Sequence, residues 1–295
     1  MKTNCISLEG SWIQMGFFRA LERRFQRNRL ALASLIIVLF LIAMALSAPW
    51  IAPYDPNEPD MQDILSMPSS RHLLGTDQLG RDLLSRIIWG ARISLQVGII
   101  AVGLAFLLGT ALGMFGSYWG KWSDEASMRI VDIMLSFPMI LLAICLIAFL
   151  GSSLTNVMLA VGVSLSPRFA RIARSLTLSV KEQVFIDAAK ALGAGSLRIC
   201  FRHVLPNIFS PLLVTATLYI STAILIESSL SYLGLGVQPP DPTWGSIINE
   251  GREVLRINPW ISTFAGVMIM ITILSFNILG DTLRDFLDPR FRRQV

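Results

Sequence analysis

From Ile133 to Pro167 the chain runs for 35 residues without an Asp, Glu, Lys or Arg. A stretch of that length cannot lie on a water-soluble domain without exposing a large apolar patch. Shorter uncharged runs cover Leu30–Ala48, Ile93–Tyr118, Asn207–Ile226 and Ile257–Gly280. A helix rises about 1.5 Å per residue, so about 20 residues cross roughly 30 Å of hydrocarbon, and each of these runs suffices for one span. Ile133–Pro167 is too long for one helix and is interrupted by Gly151-Ser152-Ser153, so it reads as a hairpin of two spans and brings the expected number to six. Only 15% of the residues are charged, against about 25% in soluble domains. The fold class is therefore an all-α polytopic membrane protein.

Lysine and arginine favour the cytoplasmic side of a membrane. With the N-terminus inside, 19 of the 25 basic residues fall on the inner side, and six (Arg71, Arg81, Arg86, Arg92, Arg252 and Arg256) fall outside. Both termini are thus expected in the cytoplasm. The chain divides into a cytoplasmic segment 1–29, a first span 30–48, an outer loop 49–92, a five-helix core 93–280 with a basic cytoplasmic loop 168–206, and a cytoplasmic tail 281–295. Ala43-Met44-Ala45 resembles a leader cleavage site, but the long segment before it and the length of the apolar run favour a retained span. In the outer loop, Leu83, Leu84, Ile87 and Ile88 share one helical face, as in a helix lying along the outer membrane surface.

Several chemistries lack their residues. Cys5, Cys145 and Cys200 are widely separated and give no metal pair, and His72 and His203 fall on opposite sides of the membrane, so no metal site is expected. The net charge of +5 belongs to arginines flanking spans and needs no nucleic acid to explain it. Gly116-Ser117-Tyr118-Trp119-Gly120-Lys121-Trp122 has three residues between its glycines where a phosphate loop has four, and a tryptophan where Ser or Thr would bind magnesium. It reads as an interfacial turn with aromatic anchors.

The remaining features each carry two readings. Gly109-Thr110-Ala111-Leu112-Gly113 either lets helix backbones touch or is tolerated glycine. Asp132 is near the inner end of its span and, three residues from Arg129, is expected to pair with it; Glu227, toward the outer half of its span, either lines a pathway or bonds to neighbouring helices. Pro138 should kink the third span, as a hinge or as a fixed bend. Gln238–Gly245 is proline-rich and is expected to expose Trp244. In the basic loop, Ala188 and Ala189 permit close approach of another surface, Gly193 permits a left-handed helix end, and Pro206 starts the next helix. This describes a short helix held away from the bilayer, which spacing alone does not separate from an ordinary capping loop.

Asp187-Ala188-Ala189, Gly193 and His203-Val204-Leu205-Pro206 resemble the EAA loop of permease subunits of ABC importers, with Asp187 in place of glutamate and His203 in place of isoleucine. The likeness extends to the dipeptide, oligopeptide and nickel importer family through Phe25–Leu32, Ile51–Asn57, Leu74–Asp82, Met128–Met134, Phe137-Pro138, Ser231–Gly236, Phe276–Asp281 and Leu287–Arg290. The resemblance implies a pore-forming subunit without catalytic chemistry, its last five helices forming the permease core. It implies no cofactor on this chain, with ATP and magnesium held by two partner ATPases, together with a second permease subunit, a periplasmic or lipid-anchored substrate-binding protein and the bilayer of the bacterial inner membrane. Carried over, Asp187, Ala188, Ala189, Leu192 and Gly193, with Leu205 and Pro206, would couple to the ATPase, and Pro240 and Trp244 would face the binding protein. Peptides are the expected cargo, with nickel or glutathione as alternatives. A proton-coupled transporter would need clustered ionisable groups at mid-membrane, and Asp132 and Glu227 are far apart along the membrane normal.

Overall fold

The computed structural model describes residues 28–287, a succession of helices. The chain termini, with the expected segment 1–29 and most of the tail, lie outside the described residues. The first helix, α1 (Arg29–Ile51), is capped by Asn28, whose side chain accepts from Leu30 N at 3.1 Å and Ala31 N at 3.3 Å. Its buried positions are Ala31, Ser34, Val38, Leu41, Ala45 and Ala48, alternating steps of three and four that form one narrow seam. Ile37, Ile42 and Met44 flank the seam half-buried, and Leu39, Phe40 and Leu46 are exposed, as suits a lipid-facing surface.

The second helix, α2 (Leu83–Trp119), corrects an expectation. Its 37 residues form one continuous helix, capped by Asp82 accepting from Ser85 N at 2.8 Å, with no break at Arg92. No separate surface helix exists: Leu83, Ile87 and Ile88 are buried, and Leu83 and Ile87 pack with Trp244, Ile247, Ile261 and residues of α1. Two of the arginines that suggested a watery boundary, Arg81 and Arg86, are paired with acids inside the protein, while Arg92 is exposed beside the Trp89 ring. At about 1.5 Å per residue α2 is about 56 Å long, so it projects well beyond the hydrocarbon.

Glycines bring α2 against the fifth helix. A Cβ on Gly109 would collide with the Ser166 carbonyl oxygen and Phe169, one on Gly113 with the Ala170 carbonyl, and one on Gly162 would come within 2.9 Å of the Ala101 carbonyl. Of the two readings of Gly109 and Gly113, backbone contact is the one the structure supports, and the contact is internal to this chain.

After Gly120, at φ +118°, come α3 (Lys121–Ser136) and α4 (Met139–Leu150). Between them Phe137 is extended and the two axes diverge by 94°. The expected kink at Pro138 is thus a complete break, because proline has no N–H to continue the ladder and biases the residue before it toward extended backbone. The turn at Gly151–Ser153 leads into α5 (Leu154–Lys181), but α4 has only 12 residues and α5 is not among the helices apolar enough to cross, so Ile133–Pro167 does not supply the two full spans expected of it.

Beyond α5 are α6 (Val184–Ala191), α7 (Ser196–Ile199), a π-helical turn Cys200–Val204, α8 (Leu205–Tyr232), α9 (Trp244–Glu253) and α10 (Trp260–Leu287). Pro206 stands in the first turn of α8, as expected, but the helical path runs into it from Ser196 through the π turn. The widened turn, with Leu205 N bonded to Cys200 O, accommodates a ring that would clash with the carbonyl four residues earlier. Among the described residues, α1, α2, Ser196–Tyr232 and Trp260–Phe286 are each long and apolar enough to cross a bilayer, as is the α3–α4 pair taken together. The lower half of α5 carries Arg168, Arg171, Arg174 and Lys181.

Replacing Gly113 by leucine should destabilise the protein by about 3 kcal/mol, since backbone atoms of α5 cannot move aside. Gly103→Leu, where an added Cβ meets nothing within 4 Å, should leave the detergent unfolding midpoint nearly unchanged.

Candidate functional site

The loop below the helices has a defined geometry. Ile186 is fully buried and anchors α6 to the main core, while Val184, Asp187, Ala188, Leu192 and Gly193 are exposed. Ala189 and Leu205 are half-buried against that core, and Pro206 is exposed. Neighbouring helical residues point about 100° apart, so Ala188 and Ala189 cannot share a face; of the expected coupling set, Ala189 and Leu205 turn inward. Gly193 has φ +79° and open space around it. Its left-handed conformation ends α6, and its N–H donates to Lys190 O at 2.9 Å. Asp187 pairs with Lys190 at 2.9 Å, both exposed. Such a pair contributes only a few tenths of a kcal/mol, so it leaves Asp187 free to exchange partners.

Above this loop, α5 grips α3. Arg174 meets Asp124 through two bonds of 2.6 Å. Arg171 meets Asp132 at 2.8 Å, whereas Arg129 reaches Glu125 at 3.7 Å. The expected Asp132–Arg129 pair is therefore replaced by a bond between helices, because α5 packs beside α3 and offers the better-placed guanidinium. Lys181 Nζ donates to the Tyr118 carbonyl at 2.9 Å, satisfying the open C-terminal end of α2.

Glu227 is fully buried. Ser231 donates to it at 2.8 Å, and Ser94 and Ser228 at 3.4 Å each, while Trp244 N donates to Ser94 Oγ at 3.4 Å. The carboxyl ties α8 to α2 and to the start of α9, so of its two readings the geometry supports the structural one.

Trp244 requires a correction. It is fully buried, its Nε1 donating to Ile87 O at 3.1 Å, and cannot face a partner; Pro240 is exposed. A capping box of Thr243 and Ser246 starts α9 immediately after the prolines and turns the indole inward.

The loop before α2, the first turn of α2 and α9 hold a charge ring that sequence reasoning missed. Asp77 binds Arg81 at 2.7 Å and Arg86 at 2.8 Å, and Glu250 binds the same arginines at 2.8 and 2.9 Å. Asp77 and Arg86 are each 1% exposed. Gln78 donates to the Glu250 carbonyl at 2.8 Å, fixing the outer loop to α9. One signal was available: Arg86 sits between Leu83 and Ile87 on an apolar face, and a buried arginine requires an acid.

Residues 105–293 match the family described as the binding-protein-dependent transport system inner membrane component. The chain belongs to that family. Residues 16–68 also match the N-terminal transmembrane domain of oligopeptide transport permease C, so that this permease carries α1 and part of the outer loop as an addition to the family core. It is 43% identical to the dipeptide transport system permease protein DppC of Alkalihalophilus pseudofirmus, over 96% of this chain and 93% of the relative. It is 45% identical to the glutathione transport system permease protein GsiD of Escherichia coli, over 92% and 89% respectively. An inward-facing structure of the MetNI methionine ABC transporter shares the fold, with a TM-score of 0.57 at 20% identity over 70% of this chain and 97% of that one. The permease is a membrane subunit of peptide-type ABC transporters.

Burial pushes the Glu250 carboxyl from its ordinary 4.5 up to about 7, with Asp77 adding to the rise and Arg81 opposing it. Between these values the folded permease holds a proton that the unfolded chain releases, so this group's contribution makes stability fall as pH rises through the window. Unfolding midpoints followed by tryptophan fluorescence across that range should show this slope, and Glu250→Gln should flatten it.

Proposed function

We propose that this permease forms half of a translocation pathway for short peptides and does no chemistry of its own. Two partner ATPases bind ATP and magnesium, a second permease subunit completes the pathway, and a periplasmic or lipid-anchored binding protein delivers the cargo. The relatives named for dipeptides and for glutathione support this cargo; glutathione is itself a short peptide, and both cargoes carry free carboxylates. The excess of basic residues in the segments assigned inside supports cytoplasmic termini.

The observation that carries the reading is α6: a short helix anchored by Ile186 that exposes Val184 and Leu192 by 83% and 89%. Apolar side chains so exposed on an extramembrane helix call for a partner surface. Docking of α6, with Asp187 and Ala188, into a cleft of one ATPase would transmit nucleotide-driven closure to α5 and α8, between which the loop is strung. On the outer face, Pro240 is the candidate contact for the binding protein.

Ala188→Trp tests the docking role without disturbing the fold, because Ala188 lies on the exposed side of α6. Recovery of ATPase with the tagged permease should fall toward half, because a bulky side chain at the centre of one interface disrupts that contact while the second permease still holds its own ATPase. Recovery of the second permease should be unchanged. Normal recovery of the ATPases would contradict the role.

A further inference from the structure

Arg168, Arg171 and Arg174 stand three residues apart on α5, a spacing that sets successive side chains beside one another. Two are neutralised by α3, Arg174 by Asp124 at 2.6 Å and Arg171 by Asp132 at 2.8 Å. The third rung of this ladder has no acid. α3 ends at Ser136, one turn beyond Asp132. Next to the vacant rung lies a cavity of about 310 Å³, lined by Met134–Met139 and by Ser164 and Arg168 of α5.

Among the described residues the Arg168 side chain has no ion pair and no hydrogen bond. Its guanidinium carbon lies 5.9 Å from the centroid of the Tyr219 ring on α8. Arg168 is exposed on α5, and a guanidinium left without an acid beside two neutralised neighbours is open to an anionic ligand. A ring contact steadies the guanidinium while leaving N–H groups free for a carboxylate, which arginine binds through two parallel bonds.

We propose that Arg168 and this cavity form a subsite for the carboxylate of the transported peptide as it passes the break between α3 and α4. The proposal rests on the short-peptide reading of the permease. The ligand would supply the acid that the third rung lacks, with Met134, Phe137 and Met139 as an apolar wall and Ser136 and Ser164 as polar neighbours. The volume stands at the lower end of the roughly 300–1,000 Å³ typical of small-molecule sites, fitting one end of a peptide. The two filled rungs are carboxylates, and Ser164 is only 4% exposed, which favours a peptide carboxylate over a lipid phosphate.

The test uses the complete transporter in vesicles, with Phe137→p-benzoylphenylalanine as a photoreactive probe in the cavity wall and a radiolabelled dipeptide as cargo. Illumination during ATP-driven uptake should attach peptide to this chain. Arg168→Gln should lower both attachment and uptake about tenfold, the loss expected for one charge-assisted pair. Arg168→Lys should restore part of each. Ser136→Glu, which puts a third acid on α3, should lower attachment as Arg168→Gln does and guards against a trivial folding defect, as does co-purification of the partner subunits. Unchanged attachment and uptake in Arg168→Gln overturn the subsite, and so does attachment of phospholipid in place of peptide. A complex without these substitutions that hydrolyses ATP but imports no peptide contradicts the importer reading itself.

Discussion

The backbone contact between α2 and α5 sets the frame on which the other elements hang. In lipid, apolar side chains gain little by leaving the solvent, so helices associate through close packing and hydrogen bonds. Gly109, Gly113 and Gly162 remove the side chains that would hold these two helices apart. Once α5 is seated, its basic flank meets α3 and its lower end projects the loop that carries α6. The same contact sets the height of Lys181, which closes the C-terminal end of α2. The α6 loop thus becomes an extension of a rigid helix pair.

Charge is handled differently at the two ends of the helices. At one end Asp77, Arg81, Arg86 and Glu250 form a closed ring of two guanidinium and two carboxyl groups. A buried pair of this kind contributes little net stability, but removing one partner leaves an uncompensated charge, so such rings fix geometry more than they add energy. This ring locks the outer loop to α9, and the Glu227 cluster locks α9 to α2 and α8. At the opposite end Arg171 and Arg174 join α5 to α3, and the α6 loop is held chiefly by Ile186, Ala189 and Ala194 against the core.

Uncharged runs made the helices legible in the sequence, because every backbone group in hydrocarbon must be paired within its own helix. The start of α2 was misread because Arg81, Arg86 and Arg92 look like a watery boundary, while the acids that cancel two of them lie in Asp77 and, more than 160 residues away, Glu250. Trp244 was misread for a similar reason: proline-rich sequence suggests exposure, and only the fold reveals that α9 begins at once and turns inward. The partner of Asp132 depended on how α5 packs, which local spacing does not encode. The exposed face of α6 was legible, since Asp187, Ala188 and Gly193 carry a spacing with direct geometric meaning, but the burial of Ala189 followed from helical phase. Arg168 stood in plain view as a basic loop residue, and only the paired neighbours above α6 make its lack of an acid visible.

The central claim is that the exposed face of α6 is where partner ATPases act, and the reactivity of one cysteine tests it most directly. Leu192→Cys, in a chain with Cys5, Cys145 and Cys200 replaced, places a thiol at a position 89% exposed in the isolated subunit. Alkylation by a membrane-impermeant maleimide would be timed in inside-out vesicles with and without the ATPases. The account predicts rapid labelling of the subunit alone and at least about tenfold slower labelling in the complex, as for a side chain at the core of a packed interface. Equal rates in both would contradict it.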